Sequence, residues 1–586
     1  MKEVLNIANK CRSCAKAKCK TACPLHQDIP LITKLIRNNQ LDDAKDILFM
    51  HNPFGYVTGY LCNHEKQCAG NCIFGDVDFY EIEKELSIQY FDDLITYPKK
   101  LEERPIAIIG GGIAGLTLAH SLLKKGIKPI IYEKKQLGGV IINAIPDFRY
   151  DKTLFKRHLH AIEKNIKVIY QEINIDNISE LDQYEHLIFT TGSEIENHTL
   201  NYPSVLKGIA TLEKFNSNAL DLKNKKVGVI GLGNTACDVA RALKRINNDV
   251  SIIYRRDISS SPATSKELNA LEKENIKIYE CLNPVKFENN ILTMQKNKLI
   301  SIEGSNRKNI IPLDEYQTEE FDYIVEALGS KQNDLLLKKF LQDDFKLIEE
   351  ARLNKNSRSL TIKHQNQLVS LIGDAYYGPW NIAQAINSAL EVVQKYYPTY
   401  LFGGSFNPVT KAHTNIINYL STLGDVIVVP NGNKYNLKEL MGYNHRIKML
   451  KLEINKLEYS ERVRISDFEK SSLYKGSIET LRYYNHPVMV IGDDCLLTIH
   501  TWINSSKLIE ENRFLIITRN NTKANLEEYI SKQEILSNYR DHFTVIELFD
   551  EDIRTLSSSS YRYNKNKDVL SDDVLKYIKN NKLYEV

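Results

Sequence analysis

The chain has 586 residues, more than one hydrophobic core normally serves, which predicts roughly three to five domains. Its 77 Lys and Arg nearly balance its 74 Asp and Glu, and the two signs are mixed, so we expect neither a nucleic-acid nor a membrane partner. No stretch reaches the ~18 apolar residues of a spanning helix, and we expect a cytoplasmic protein with reduced thiols.

Seven of the ten cysteines lie in the first 72 residues. The first four have the spacing C-x2-C-x4-C-x3-C-P, which is typical of iron–sulfur ligands. Disulfides are disfavoured because the first residues carry no secretory signal, and zinc ranks lower because only one C-x2-C pair is present. The predicted ligands are Cys11, Cys14, Cys19, Cys23, Cys62, Cys68 and Cys72.

Seven thiolates fall one short of the ligands that two [4Fe–4S] clusters require. One interpretation groups Cys23 with the three later cysteines and leaves the first three in need of a fourth ligand. Both cysteine blocks resemble the amino-terminal domain of dihydropyrimidine dehydrogenase and that of the glutamate synthase small subunit. In the dehydrogenase a downstream Gln completes a cluster, so the resemblance implies Gln89 as the eighth ligand. A Gln on a helix surface is an equally good interpretation.

Residues 104–139 begin with an apolar strand, RPIAIIGGG, followed by a Gly-rich turn, a helix and a second strand that ends in an acid. This order is a dinucleotide fingerprint, in which the glycines allow a tight turn, close approach to pyrophosphate and helix–strand packing. The acid is expected to bind a ribose hydroxyl. The predicted residues are Gly110, Gly112, Gly115, Glu133 and Gly139.

A second copy of the fingerprint begins KKVGVIGLGNTACDVAR. Its second strand ends in two arginines where the first copy has an acid, and two guanidinium groups there suit a 2′-phosphate. The second nucleotide is therefore predicted to be NADPH, and a solvated Arg pair is the alternative. The predicted residues are Gly231, Gly233, Asn234, Thr235, Arg255 and Arg256.

The segment LVSLIGDAYYGPW follows as strand, acid and loop, and a long helix comes after it. With the two fingerprints, it resembles the two-dinucleotide flavoprotein family over residues 1–398. The resemblance implies FAD as the first cofactor, with Gly373 and Asp374 at its ribityl or pyrophosphate end. It also implies electron flow from NADPH through FAD to the two clusters.

After about Pro398 the chain reads TYLFGGSFNPVTKAHTNIINYL, and near its other end it reads DEDIRTLSSSSYR. GSFNP with T-x-x-H resembles the signature of the nucleotidylyltransferases, and the second segment resembles their ISSTxIR motif. The sequence departs from that family in having Ala412 for Gly and Asn407 for the Asp of many bacterial members. The resemblance implies a Rossmann-like fold that binds the triphosphate of ATP with Mg²⁺. The implied catalytic residues are Thr410, His413, Ser557, Ser558 and Arg562.

The segments VIVVPNGNKYNLKELMGYNHRIKML and VMVIGDDCLLTIHTWIN resemble the nicotinate and nicotinamide mononucleotide adenylyltransferases. The implied substrates are ATP and either NaMN or NMN, and the sequence leaves the base open. The implied substrate-binding residues are Gly404, Ser405, Phe406, Lys434, Arg446, Asp494 and Trp502.

The prediction is an α/β multidomain protein: a helical [4Fe–4S] domain, two nested Rossmann-like dinucleotide-binding domains and a Rossmann-like nucleotidylyltransferase domain. The predicted ranges are 1–95 for the clusters, 96–224 and 330–398 for FAD, 225–329 for NADPH, and 399–586 for the transferase. The predicted function is bifunctional, with redox and adenylyl-transfer activities. Two alternatives remain: an electron-input subunit for a partner that carries FMN or another acceptor, and a carboxy-terminal nucleotide sensor without turnover.

Overall fold

The computed structural model of the chain describes residues 1–584 except 15, 76, 303–304, 355–357, 433–439, 472–473 and 548–555. The side chains of residues 302 and 305–307 also lie outside the description. The backbone divides into two compact units, Met1–Val392 and Val393–Val586. No helix in the described ranges is long and apolar enough to cross a membrane.

The first unit begins with helices, as the sequence predicts for the cysteine-rich segment. The helices are α1 (Lys2–Lys10), α2 (Lys18–Ala22), α3 (Ile29–Arg37), α4 (Leu41–His51), α5 (Gly55–Leu61), α6 (Phe79–Gln89) and α7 (Phe91–Leu94), with a short 3-10 turn at Ala69–Asn71.

Two glycines allow α5 to lie directly against α6. A Cβ on Gly55 would come within 2.3 Å of the Ser87 hydroxyl, and a Cβ on Gly59 within 2.8 Å of the Lys84 Cβ. Only glycine permits so close an approach of one helix backbone to another. Cys62 follows α5 directly, so this packing brings its thiol to the middle of α6.

The rest of the first unit alternates strands and helices. Its strands are β1 (Glu102–Ile109), β2 (Ile127–Tyr132), β3 (Lys167–Ile169), β4 (His186–Phe189), β5 (Ile195–Glu196), β6 (Val205–Lys207), β7 (Lys226–Ile230), β8 (Asp249–Ile253), β9 (Lys277–Tyr279), β10 (Leu282–Glu288), β11 (Ile291–Ile302), β12 (Ser305–Glu320), β13 (Tyr323–Glu326), β14 (Ser330–Lys331), β15 (Leu360–His364) and β16 (Gln367–Leu371). Its helices are α8 (Ile113–Lys124), α9 (Gly139–Asn143), α10 (Thr153–Asn165), α11 (Gly208–Asn216), α12 (Asn234–Arg245), α13 (Ser265–Lys273), α14 (Leu335–Leu341), α15 (Phe345–Asn354), α16 (Asp374–Tyr377) and α17 (Ile382–Tyr396), the last of which ends in the second unit. Short 3-10 helices lie at Ile178–Gln183, Ile258–Ser260 and Gln342–Asp344.

These strands form two parallel sheets, one inserted into the chain of the other. The outer sheet has the order β15-β16-β4-β1-β2-β3, in which only the β15–β16 pair is antiparallel. The inserted sheet has the order β6-β13-β7-β8-β9 and is parallel throughout. An antiparallel sheet β10-β11-β12 and the pair β5–β14 accompany it. In such sheets ligands bind at the carboxyl ends of the strands, which is where both Gly-rich turns lie.

A buried group of rings joins the cysteine-bearing helices to the outer sheet's helices. The Tyr56 hydroxyl lies 2.9 Å from His158 Nδ1, and His158 Nε2 lies 2.8 Å from His120 Nδ1. Burial lowers the pKa of His158 to about 3 and also lowers that of His120. Both imidazoles are therefore neutral, and they connect α5 with α8 and α10 through hydrogen bonds rather than charge.

The second unit is one parallel sheet with helices on its faces. Its strands are β17 (Tyr400–Gly404), β18 (Val426–Pro430), β19 (Val463–Ile465), β20 (Val488–Gly492), β21 (Phe514–Ile517) and β22 (Phe543–Ile546). Its helices are α18 (Lys411–Leu423), α19 (Tyr443–Ile454), α20 (Ser477–Tyr483), α21 (Asp493–Thr498), α22 (Ser505–Glu511), α23 (Lys523–Lys532), α24 (Glu534–Ser537), α25 (Ser558–Asn564) and α26 (Asp572–Asn580), with short 3-10 helices at Ser460–Arg462, Phe468–Lys470, Ile499–Thr501, Arg540–His542 and Lys567–Val569.

The strand order of this sheet is β19-β18-β17-β20-β21-β22. It reverses direction between β17 and β20, as in a Rossmann fold, and such a switch point opens a crevice beside the first strand. The predicted fold class is therefore confirmed.

Candidate functional sites

Four of the seven amino-terminal cysteines form one group. Burial, and then the neighbouring thiols of Cys72, Cys11 and Cys14, raise the pKa of Cys19 to about 11. Cys72 joins this group because it directly follows the turn Ala69–Asn71, which packs against α2. The interpretation that placed Cys72 with Cys23 is therefore wrong.

The remaining three thiols form a second group around a buried carboxylate. Burial, and then the Glu83 carboxylate, raise the pKa of Cys62, whose thiol also faces Cys23 and Cys68. Cys68 has Cys23 and Glu83 as neighbours, and burial is again the largest cause of its raised pKa. The fold thus divides the seven cysteines into four and three.

The carboxylate of Glu83 is held in place by residues beside these cysteines. Its Oε1 accepts hydrogen bonds from Asn52 Nδ2 at 2.6 Å and from the Gln27 amide. Thr58, one turn before Cys62, donates to the same carboxylate. Gln89 lies about two turns farther along α6, on the exposed face of the helix. It does not join the cysteines, so the structure agrees with the other interpretation, a Gln on a helix surface.

Among the described residues, no three His, Cys, Asp or Glu side chains are close enough to hold one metal ion. Tetrahedral zinc with bonds of about 2.3 Å would need sulfurs only about 3.8 Å apart. A [4Fe–4S] cluster, which four thiolates surround, is the group that the cysteine spacing predicts.

The turn after β1 is shaped for close approach of a phosphate. Gly110 has φ +110°, and a Cβ on it would come within 2.7 Å of the Thr190 carbonyl oxygen. A Cβ on Gly115 would meet the Gly110 carbonyl at 2.2 Å, so α8 packs against the turn. In front of Gly112 no described atom lies within 4 Å of the Cβ position, which leaves the start of α8 open to an anion.

The other predicted residues of this site lie around the same turn. Glu133 accepts from the Gly111 N–H at 2.6 Å, which fixes its carboxylate beside the turn. A Cβ on Gly139 would lie 2.9 Å from the Gly112 Cα, and one on Gly373 would lie 3.1 Å from the Ala114 Cβ. Asp374 accepts from the Trp380 backbone N–H, but burial dominates and raises the pKa of Asp374 to about 6.

The turn after β7 repeats this design in the inserted sheet. Gly231 has φ +118°, and a Cβ on it would come within 2.6 Å of the Ala327 carbonyl oxygen. The nearest atom to a Cβ on Gly233 is 3.8 Å away. Asn234 accepts from the Thr264 N–H at 3.1 Å, which ties the turn to the segment before α13.

Both turns open into one cleft of about 1850 Å³ within the first unit. Thr235, Arg255 and Arg256 line it together with Glu133 and Asp374, so the fold brings the predicted residues of the two dinucleotide sites to one space.

The sequence reasoning missed an ion-pair network on the wall of this cleft. Arg149 Nη1 lies 2.6 Å from Asp238 Oδ2, and Arg149 Nε lies 3.2 Å from Glu267 Oε1. Burial raises the pKa of Asp238 to about 7 although Arg149 opposes that shift. Arg149 follows α9, which begins beside the turn after β1 of the outer sheet. Asp238 lies on α12 and Glu267 on α13, which accompany the inserted sheet. These two ion pairs therefore connect the FAD-side and NADPH-side dinucleotide domains.

In the second unit, Thr410 and His413 form a reciprocal cap at the start of α18. The Thr410 N–H donates to His413 Nδ1 at 3.0 Å, and the His413 N–H points back at the Thr410 hydroxyl. Because Nδ1 is an acceptor, the neutral imidazole carries its proton on Nε2. Burial, and then the charge of Arg519, lower the pKa of His413 to about 4.

The serine-rich segment comes back to the loop that precedes α18. Ser558 Oγ donates to the Pro408 carbonyl at 2.8 Å, and the Arg562 guanidinium donates to the Asn407 carbonyl. Ser557 caps α25 by accepting from the Ser560 N–H at 3.1 Å. The two predicted phosphate-binding segments therefore meet, although they are about 150 residues apart.

The side chain of Asn407 is an acceptor at the centre of this meeting point. Its Oδ1 accepts from the Tyr584 hydroxyl at 2.7 Å and from the Met441 N–H at 3.2 Å. An amide oxygen accepts these two bonds as a carboxylate oxygen would, which explains why Asn is compatible with this position.

Two predicted substrate-binding residues are buried instead. Arg446 is fully buried, and its guanidinium donates to the carbonyls of Ser405, Asn431 and Met441 at 2.7–2.9 Å. Phe406 is also fully buried, with its ring 5.1 Å from that of His413. Each shapes the loop from inside, so their predicted contact with substrate is not supported. Ser405 lies on the loop that Arg446 holds.

The other predicted residues of this region have different outcomes. Gly404 ends β17, Asp494 is exposed at the start of α21, and Trp502 is partly buried after it. Lys434 lies outside the described residues.

Two residues here were missed by the sequence reasoning. Arg519, after β21, lies near His413 and donates to the Leu556 carbonyl at 2.6 Å, so it belongs to the phosphate-binding region. Asp493 is fully buried and accepts from the backbone N–H groups of residues 519–521 at 2.6–3.2 Å, which holds the Arg519 loop. A positive residue directly after a parallel strand was the signal available for Arg519.

Comparison with known proteins agrees with this division of the chain. Residues 1–96 match the family of dihydropyrimidine dehydrogenase domain II with its 4Fe–4S cluster, residues 104–389 match the pyridine nucleotide-disulphide oxidoreductases, and residues 401–564 match the cytidylyltransferase-like family. The predicted resemblances are therefore confirmed.

Individual relatives cover parts of the chain. The oxidoreductase YgfK of Escherichia coli O157:H7 is 26% identical over 402 residues, which are 64% of this chain and 37% of YgfK. The NADPH glutamate synthase small chain of Azospirillum brasilense is 24% identical, over 56% of this chain and 75% of its own. The nicotinic acid mononucleotide adenylyltransferase structure of Plasmodium falciparum is 24% identical over 32% of this chain and 97% of its own, with a TM-score of 0.28.

The low pKa of His413 predicts that acid destabilises the second unit. A histidine with a pKa of about 4 when folded and about 6.5 when unfolded binds its proton mainly in the unfolded state, so stability falls as the pH drops from 6.5 towards 4. Between pH 7 and pH 5, protonation of this residue in the unfolded state should lower the free energy of unfolding by about 2 kcal/mol. Urea unfolding of the full chain, followed for the second unit, should show this loss.

His413→Gln keeps an acceptor for the cap but does not titrate, so this variant should have a smaller pH dependence. The exposed His500→Gln is the matched control and should behave like the parent. An unchanged pH dependence in His413→Gln would contradict the prediction.

Proposed function

We propose that this chain, which joins an iron–sulfur segment, a pyridine nucleotide oxidoreductase and a cytidylyltransferase-like segment, is a bifunctional enzyme. Its first unit transfers electrons from NADPH through FAD to two [4Fe–4S] clusters. Its second unit joins NaMN or NMN to the AMP part of ATP, forming deamido-NAD or NAD and releasing pyrophosphate. The observation that carries the first activity is the single cleft lined by two glycine turns, and for the second it is the meeting of the His413 and Arg562 segments.

The residues present fit the cofactors of the redox activity. The open position before Gly112 would accept the FAD pyrophosphate, with Glu133 on a ribose hydroxyl and Asp374 near the ribityl chain. The turn at Gly233, with Arg255 and Arg256, would hold NADPH by its pyrophosphate and its 2′-phosphate. FAD held there would supply a hydride acceptor that can also give up electrons singly, and clusters held by the cysteines would supply one-electron carriers.

Glu83 would supply the eighth cluster ligand. The first group has four thiols, whereas the second has three and a carboxylate that faces all of them. Hydrogen bonds from Gln27 and Asn52 hold this carboxylate, and both fall on Oε1. They orient the side chain in the way that outer donors orient a metal ligand.

The second unit would act by positioning and charge stabilisation. The phosphate of the mononucleotide attacks the α-phosphorus of ATP, its oxygen forms the new P–O–P bond, and pyrophosphate leaves. His413 would donate from Nε2–H and Arg562 from its guanidinium to the phosphates as charge moves onto the leaving group. Arg519 would add a third donor group, and Mg²⁺ would neutralise part of the triphosphate charge.

The cluster proposal predicts that Glu83→Ala lowers the iron content. Two clusters require about eight iron atoms per anaerobically prepared chain, and loss of the second would leave about four. Gln89→Ala, on the same helix but exposed, should retain the full content. Glu83→Cys distinguishes a ligand from a structural residue, because a thiolate should restore the iron and change the EPR signal of the reduced cluster. Equal iron content and identical EPR spectra in the Ala, Cys and parent proteins would contradict the assignment.

The arginine pair predicts a preference for NADPH over NADH in flavin reduction. Replacing Arg255 and Arg256 by Ala should narrow that preference by about 1.5–3 kcal/mol per lost charge-assisted contact. The measurement is the ratio of kcat/KM for the two nucleotides with a dye as acceptor. Lys298→Ala, an outlying cation of the same inserted half, should leave the ratio unchanged. Equal rates with both nucleotides in the parent would disprove the assignment.

The transferase proposal predicts loss of turnover without loss of fold. His413→Ala and Arg562→Ala should each lower kcat by about 10²-fold or more, the scale of a missing transition-state donor. The exposed His500→Ala should keep the parent rate. The assay follows pyrophosphate release from ATP, Mg²⁺ and each mononucleotide. No dinucleotide from either mononucleotide would overturn the proposal.

A further inference from the structure

The surface over the first cysteine group is strongly cationic. Five of the eleven residues from Lys10 to Lys20 are Lys or Arg and none is acidic, whereas the whole chain carries only +3. Lys10, Arg12, Lys16 and Lys18 are exposed. None of these four forms an ion pair within the described part of the chain, whereas Lys20 is paired with Asp28 at 2.6 Å.

An apolar patch lies beside these cations. Ile73 is 56% exposed and Phe74 is 45% exposed, directly after Cys72. The Arg12 guanidinium lies 4.7 Å above the Phe74 ring, so the patch and the positive charge are in direct contact. Of the nearby acids, Asp78 is exposed and Asp76 lies outside the described residues.

The same side chains border the first cysteine group, whose four cysteines are themselves partly exposed. Lys10, Arg12, Lys18, Ile73 and Phe74 line one small cavity with the cysteines of this group, and Cys68 of the second group also borders it. A cluster held there would lie close to this surface. Electrons could leave at this surface without crossing the rest of the protein.

We propose that this surface docks a soluble one-electron carrier protein with an acidic face around its own redox group. Exposed apolar contact surrounded by charge is the usual composition of a transient protein interface. Opposite charge on the partner would speed encounter and orient it before contact. The inference rests on the proposed redox function and names its acceptor. One NADPH would reduce two carriers and give NADP⁺ and one proton.

An acidic protein is favoured over nucleic acid as the partner because the cations lie beside an apolar patch that directly follows Cys72. The uncharged side chains of Ile73 and Phe74 would make no favourable electrostatic contact with a phosphate backbone. A redox protein would gain both from the apolar contact and from the proximity of the cluster.

The test uses the full-length holoprotein and compares three acceptors: an acidic vertebrate-type [2Fe–2S] ferredoxin, whose potential lies above that of NADP⁺/NADPH, basic cytochrome c, and dichlorophenolindophenol as a dye. The parent should reduce the ferredoxin at a rate that falls steeply with added salt. The triple variant Lys10→Glu, Arg12→Glu, Lys18→Glu should lower kcat/KM for the ferredoxin by 10-fold or more, within the range of electrostatic steering, at unchanged iron content and dye rate.

The matched control reverses Lys156, Lys164 and Lys167, three exposed lysines elsewhere on the first unit, and should behave like the parent. If the triple variant loses iron, the milder Lys10→Gln with Lys18→Gln should still weaken ferredoxin reduction. Calorimetric titration with oxidised ferredoxin measures docking without turnover, and the triple variant should bind more weakly than the control.

The outcomes separate the two proposals. Absence of NADPH-dependent dye reduction in the parent would overturn the redox function, and titration would still report on the surface. The docking proposal would be overturned if dye reduction were normal and charge reversal changed neither the rate of ferredoxin reduction nor ferredoxin binding. It would also be overturned if cytochrome c were reduced as fast as ferredoxin with the same salt response. Binding of a DNA oligonucleotide in preference to ferredoxin would also overturn it.

Discussion

The two proposed dinucleotide sites in this chain depend on bringing backbone N–H groups within hydrogen-bond reach of a phosphate. A side chain at the turn would keep the phosphate away, so the turn between strand and helix must lack a Cβ. Gly110 and Gly231 both sit at φ above +100°, where a Cβ would collide with a carbonyl of the neighbouring strand segment. These turns therefore fix where the ligands bind, and the helices that follow supply the positive end of their dipoles.

This constraint is local, and for that reason the sequence revealed it well. The strand, turn, helix and acid of the first fingerprint lie within about 30 residues, and the structure has each of them where the pattern predicts. The nested order of the two dinucleotide halves also follows from the linear order of motifs. The same holds for Thr410 and His413, because a cap involves residues three apart.

What the sequence could not provide was the result of long-range packing. The division of the cysteines depends on the turn that brings Cys72 against α2, which no spacing rule encodes. Glu83 and Gln89 lie on one helix, and only the face that α5 covers decides which of them meets the thiols. The resemblance to the adenylyltransferases implied Arg446 as a substrate ligand, yet packing buries this side chain and three backbone carbonyls accept from its guanidinium.

The contact between Tyr584 and Asn407 has a consequence for biosynthesis. The two residues are 177 positions apart, and the tyrosine hydroxyl donates to the Asn407 amide oxygen at the centre of the phosphate-binding loop. A ribosome delivers the loop first and the tyrosine many seconds later, at about 5–20 residues per second. Throughout that interval the nascent sheet can assemble while its anion-binding loop lacks this hydrogen bond, so the loop is completed only after Tyr584 has been made.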